Sequence, residues 1–294
     1  MKNPAFTGLL AWLFALVTMP LAGYSPAAGA EETSEPLTVT LPPLGTKNTV
    51  HNLYFPKLLE LALRKTQDSQ GPYAIRFSPQ PLSTGRILAK LKSGEGIDVI
   101  WALPDAQHER DLRRIPVSLL RGLSNHRVFL IRAGEEERFK EIDSLENLRK
   151  LRAGQGQHWV DTQVLRANQL PVVTSANHEL LFNMLTGKRF DYFPRGLYEV
   201  QAELEQYADL ELAIEPRLML HYPAPVYFYL HPDNESLAQR IEEGLRLAQK
   251  DGSFDELFFS MPGFRWGYRQ MHSSERTVLN LDLPANSPCR TDCD

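Results

Sequence analysis

The chain has 294 residues, with 32 Lys and Arg against 36 Asp and Glu and a formal net charge of −4 with histidine neutral. That balance excludes the basic surface a nucleic-acid partner demands. Two cysteines in the whole chain exclude a disulfide-dense scaffold, and the length is enough for one large or two modest α/β domains with proper cores.

The N-terminus reads as a leader. Lys2 precedes an apolar run from Leu9 to Val17, and Ala28-Gly29-Ala30 stands ahead of Glu31-Glu32. The run is shorter than the roughly 20 residues a membrane-spanning helix needs, and small-x-small before an acidic start is a cleavage signature. Residues 1–30 are therefore expected to be a signal peptide that leaves the mature protein free in the periplasm, or secreted, with no cysteine at the cleavage point to take a lipid. Loss of Lys2 with it makes the net charge about −5.

Leu37-Thr38-Val39-Thr40-Leu41 has the β-branched pattern of a strand and is closed by Pro42-Pro43. Residues 54–65 carry a proline near the first turn and leucines along one face, which predicts a helix. A second strand is expected over 73–78 and a helix over 84–91, broken by Gly94-Glu95-Gly96. Ile97-Asp98-Val99-Ile100-Trp101-Ala102-Leu103 follows as a buried strand. Residues 115–120 and 127–131 read as extended, and Asp143-Ser144-Leu145-Glu146 resembles a capping box before a short helix. The glycine-bearing stretch Gly154-Gln155-Gly156-Gln157-His158-Trp159 then runs as a loop into a helix expected at 161–168.

A helix over 179–185 leads through Gly187 into an aromatic strand at 190–193, a charged corner at Pro194-Arg195-Gly196 and a helix over 197–207. The end of a strand in an open α/β sheet is where ligands sit, so this corner is a first candidate site. Val226-Tyr227-Phe228-Tyr229-Leu230 is the last strong strand. It precedes a helix over 235–250, whose Leu237, Ile241, Leu245 and Ala248 make one stripe ahead of Asp251-Gly252. The segment from Pro262 reads as a surface wrap or tail. In that tail Cys289 and Cys293 are open to a local disulfide or to free or intermolecular thiols; a metal site has no flanking histidine to support it.

One junction occurs twice. Leu91-x-x-Gly94-x-Gly96-Ile97-Asp98-Val99-Ile100 and Leu185-x-Gly187-x-x-Phe190-Asp191-Tyr192-Phe193 each take a helix to glycine, turn, and open a hydrophobic strand with an apolar-Asp pair. The repeat suggests two α/β lobes built alike, although each aspartate could equally tie down its own turn.

These junctions, the opening over 37–65, Ser144-Leu145-x-x-Leu148 before Gly154-x-Gly156, and Asp251-Gly252-Ser253-Phe254-Asp255 together resemble the bacterial periplasmic solute-binding proteins of family 3. The resemblance implies the type II periplasmic binding fold: α/β, two lobes, each a mostly parallel sheet flanked by helices, joined by two hinge strands. It divides the chain into lobe 1 at 37–124, lobe 2 at 125–221, and a return to lobe 1 with a tail at 222–294. It also implies a small polar ligand clamped between the lobes and handed to a membrane permease, as for an ABC-type importer. A ligand-sensing or adaptor protein that reports to a membrane receptor is the alternative, and a monomer is expected in either case.

The same resemblance places the ligand contacts and shows where this chain departs. Amino-acid binders carry small hydroxyl residues where Trp101-Ala102-Leu103-Pro104 stands here. Their carboxylate-gripping arginine falls near Arg110, whose planar guanidinium could make paired hydrogen bonds. Their Gly-Ser-Thr loop appears as Gly156-Gln157-His158, which keeps outward N–H groups at a helix start. Their ammonium-binding acid falls at Gly196, beside Arg195. Arg110, Arg195 and the N–H groups of Gly156 and Gln157 therefore predict an anionic ligand, with Tyr54, Trp101 and Trp159 as aromatic walls and His158 as a further contact. No Gly-x-Ser-x-Gly elbow, His-Glu-x-x-His, Walker loop or spaced His/Cys set is present, so neither catalysis nor a cofactor is expected. The resemblance also admits an enzyme on this fold as a less favoured alternative, with His178 and Glu179 as its acid/base pair.

Overall fold

In a computed structural model, which describes residues 35–43, 53–80, 82–273, 275–290 and 293, β1 (Leu37–Leu41) and β2 (Tyr73–Phe77) lie parallel, in register from Leu37↔Tyr73 to Leu41↔Phe77. The leader at residues 1–30 lies outside the described residues. Between the strands run α1 (Tyr54–Lys65) and the short α2 (Gln67–Gln70). No β-branched residue interrupts α1, and Tyr54, Phe55, Leu58, Leu59, Leu61, Ala62 and Leu63 are buried. After α3 (Thr84–Ser93), Gly94 adopts φ +68°, the left-handed cap glycine tolerates best.

β3 (Val99–Ala102), α4 (Ala106–Asp111) and β4 (Arg113–Arg114) complete this part. The run at 106–111 is helical because Asp105 caps it, accepting from the backbone N–H groups of Gln107 and His108 at 2.8 Å. Asp98 joins β1 to the chain entering β3: Thr40 N donates to its Oδ2 at 2.6 Å, and Asp98 N donates to Thr40 O at 2.8 Å.

The next block is built around β5 (His126–Arg132). In chain order come α5 (Leu145–Leu148), β6 (Ala153–Gly156), α6 (Val160–Ala167), β7 (Val172–Ser175), α7 (His178–Thr186), β8 (Phe193–Gly196), α8 (Val200–Gln206), β9 (Leu212–Ile214) and β10 (Leu218–His221). β5 pairs antiparallel with β8, β9 and β10, while β6 and β7 are parallel. Gly154 N donates to Tyr192 O at 2.8 Å and links β6 to the chain entering β8. Asp191 here repeats the part of Asp98, its Oδ2 accepting from Arg152 N at 2.8 Å. Neither aspartate is confined to its own turn; each fastens a strand entrance to the chain beside it.

The chain then returns. β11 (Tyr227–Leu230) inserts antiparallel between β3 and β4, and α9 (Glu235–Lys250) packs on α1 so tightly that a Cβ at Gly244 would stand 2.0 Å from Ala62 O. α10 (Ser253–Ser260) and α11 (Phe264–Met271) follow, and β12 (Thr277–Asn280) joins the other block, parallel to β10. Cys289 and Cys293 form a disulfide.

Several sequence expectations shift. The aromatic strand begins at Phe193, not Phe190, so Pro194, Arg195 and Gly196 lie inside β8 and not after it. Residues 153–156 are strand β6, because Phe190 and Trp159 cover the glycines that made them look like loop. The helix before Gly187 has no left-handed glycine cap; Lys188 takes that conformation instead, at φ +56°. The segment from Pro262 contains α11 and β12, and the sheets are mixed, with antiparallel pairs around β5 and β11. No helix among the described residues is long and apolar enough to cross a membrane.

Candidate functional site

A cleft of about 260 Å³ opens where the two blocks face one another. From the first block come Ala102 and Leu103 at the end of β3, then Asp105 and His108 at the start of α4. From the second come Arg127 on β5, His158 to Asp161 at the entry to α6, and Arg195, Tyr198 and Glu199 around the end of β8. Larger hollows of about 450 and 510 Å³ lie on the outer face of α9 and between α1 and β2. Each lies on one block and lacks the convergent buried charges of the cleft, so the cleft is the candidate site.

Its charges are arranged in two buried sets. Arg127 Nε donates to Asp161 Oδ1 at 2.8 Å, and the Tyr222 hydroxyl donates to the same oxygen. Arg195 donates from Nε and Nη2 to the two oxygens of Glu203 at 2.7 and 2.6 Å, while Glu199 Oε2 lies 3.0 Å from Nη2. The other Glu199 oxygen accepts from Gly196 N at 2.8 Å. The guanidinium of Arg195 also lies over the rings of Trp159 and Phe193, at 5.0 and 4.8 Å.

Burial disfavours ionised Glu203, but Arg195, with His178 Nε2 at 3.2 Å, outweighs it and holds the carboxyl well below the usual range. Asp161 follows the same pattern: burial raises it, and Arg127 and Tyr222 lower it further. Both carboxylates are therefore charged at neutral pH.

The sequence candidates divide. Arg195, His158 and Trp159 line the cleft. Tyr54 does not: it is fully buried in the first block, its hydroxyl donates to Leu119 O at 2.8 Å, and Phe258 and Phe264 surround its ring. Trp101 stacks on Phe55, with ring centroids 5.1 Å apart, one residue short of the cleft lining. Arg110 is on the exposed side of α4 with Asp111, because the phase of that helix turns Asp105 and His108 inward. Gly156 is covered by the Trp159 ring, and Gln157 N donates to Ser175 O, so these two do not form an open nest for an anion. His178 turns to Glu203, with Nε2 3.2 Å from its Oε1, and Glu179 is exposed.

Asp105, His108, Arg127, Asp161, Tyr198 and Glu199 also line the cleft and were not singled out by the sequence. Two signals were available. Arg127 opens an otherwise apolar strand, and a charge inside such a run needs a buried partner. Glu199, just before α8, and Glu203 on its first turn stand four and eight residues after Arg195 and look back at it.

No protein-family model and no curated protein matches the chain. Solved structures do match. An ancestral arginine-binding protein bound to arginine aligns with a TM-score of 0.57 and 19% identity, over 79% of this chain and 100% of its own. A Salmonella typhimurium periplasmic binding protein with high arginine specificity gives 0.58 and 14%, over 76% and 99%. A histidine kinase sensor domain with similarity to periplasmic binding proteins gives 0.56 and 14%, over 79% and 98%. With mixed α/β blocks facing across a cleft, the chain has the two-lobed type II periplasmic binding fold, that of the amino-acid-binding proteins of family 3.

Proposed function

We propose that the protein is an exported solute-binding protein whose lobes, divided as above except that β12 belongs to the second, close on one small polar solute carrying an ammonium group. The observation that carries this reading is the charge of the cleft. Asp105, Asp161 and Glu199 line it with Arg127 and Arg195, and both arginines are already engaged by carboxylates of the protein itself. An incoming anion would compete with Asp161, Glu199 and Glu203 for those guanidiniums, whereas an ammonium adds a partner to carboxylates already present. This reading replaces the anionic preference drawn from the sequence with a zwitterion or a cation. The cleft volume of about 260 Å³ suits a single amino-acid-sized molecule. The ligands of the structural neighbours, arginine and glutamine, are of that class.

Export rests on the leader and delivery to a membrane permease on the fold. The likeness to a histidine kinase sensor domain favours a second reading, in which the closed form reports to a membrane receptor.

A thermal-shift series tests the site. A ligand bound only by the folded state raises the melting temperature, and does so further as its concentration rises above its Kd. L-Arginine, L-glutamine, L-glutamate, citrate and glucose cover the charge classes. The reading expects shifts with the amino acids. Shifts confined to citrate would restore the anionic site, and shifts confined to glucose would remove the charged site altogether.

A further inference from the structure

The C-terminal segment touches both lobes, and it crosses between them at the rim of the cleft. Its first anchor is on the second lobe. β12 lies parallel to β10, Leu281 N donates to His221 O at 2.9 Å, and Asn168 clamps both backbone groups of Asp282, with Nδ2 to O at 2.8 Å and Oδ1 from N at 3.0 Å. Leu281 and Leu283 pack into the apolar cluster of that lobe.

Its second anchor is on the first lobe, where Cys293 packs against the cluster of Leu91, Ile97, Ile100 and Leu112. Between the anchors, Pro284, Asn286, Ser287 and Pro288 enclose a cavity of only about 30 Å³ with Pro104 to Ala106 on one side and Val160 and Gln163 on the other. Asp105 and Val160 also line the solute cleft, which places the crossing at its edge.

We propose that residues 281–290, with the anchor at Cys293, are a strap that ties the two lobes together and limits how far they separate. The inference rests on the reading of the cleft as a site that opens and closes. The Cys289–Cys293 disulfide fixes the far end: Cys289 is buried, and the bond holds the Cys293 anchor beside it. Proline at 284 and 288 reduces the freedom the segment would lose on docking, so a short contact suffices to hold it.

The experiment measures lobe separation directly and without a solute. Pulsed dipolar spectroscopy between labelled unnatural residues at the exposed positions 110 and 166, one on each lobe, gives a distance distribution for the full chain and for a chain ending at Leu283. The strap predicts a longer mean and a broader distribution after truncation. An unchanged distribution in a folded truncated chain overturns it. Should that chain not fold, Asn168→Ala and the double variant C289S/C293S loosen one anchor each; widening in either supports the strap, and widening in neither overturns it. The two proposals fail separately. Widening with no melting shift from any solute sinks the solute reading alone, and a melting shift without widening sinks the strap alone.

Discussion

The Arg195 guanidinium is gripped edge-on by Glu203, a carboxylate with no solvent exposure at all. Such a pair contributes little net stability when whole, because both charges have left water, but removing one partner strands the other. Arg195→Ala is therefore expected to cost about 3–5 kcal/mol in urea unfolding, since Glu199 and Glu203 lose their cation. Arg195→Met combined with Glu203→Leu should recover part of that loss, and the double-mutant cycle gives the coupling. An Arg195→Ala protein as stable as the parent would contradict the geometry.

Acid should unfold the protein through the same groups. Glu203 ionises in the folded state well below its ordinary 4.5, and Asp161 below its ordinary 3.8. A depressed carboxylate stabilises fully above its unfolded value and loses that contribution as pH falls toward its folded value. Stability is thus expected to drop below about pH 4.5. Glu203→Gln should be less stable at neutral pH but show a flatter decline from pH 5 to about 3, followed by urea midpoints at each pH.

Asp98 and Asp191 make the same kind of bond in different lobes, each carboxylate accepting a backbone N–H from the chain alongside. Asp98→Ala leaves Thr40 N without its side-chain acceptor and should cost about 1–3 kcal/mol. Native-state hydrogen exchange offers a local check: the Thr40 amide should exchange faster in Asp98→Ala and be unaffected in Asp191→Ala.

Gly244→Ala tests the helix pair of the first lobe. Alanine ordinarily favours a helix interior by about 1 kcal/mol over glycine. Here the new methyl would meet the Ala62 carbonyl, which is backbone and cannot swing aside. The expected result is destabilisation by about 1–3 kcal/mol, against the propensity scale, in thermal or urea unfolding. A stabilised variant would mean that α1 and α9 sit farther apart.

The legible elements were those whose own residues decide the outcome. α1 and α9 run over 54–65 and 235–250 as the sequence predicts, because their apolar stripes and terminal signals agree. β6 was illegible: Ala153-Gly154-Gln155-Gly156 has no strand-forming residue, and it is extended because β7 and the rings of Phe190 and Trp159 make it so. The candidate site was half legible for a related reason. Sequence order marked the corner at Arg195 and the entry to α6, but it could not show that Arg110 turns outward or that Arg195 meets Glu199 and Glu203 in the interior. Helix phase and long-range pairing are properties of the packed molecule.

The position of β11 bears on how the chain acquires its structure. This strand stands between β3 and β4, and Tyr229 on it bonds to Glu109, 120 residues earlier. The strands around β5 draw, apart from β12, on one uninterrupted stretch of chain, whereas the first lobe lacks its middle strand and its packing helix until the chain has passed through the whole of the second. Contacts closed over so long a loop form late. The portion made first is thus among the last to be completed, and a chain emerging at a membrane would remain threadable until most of its length had been synthesised.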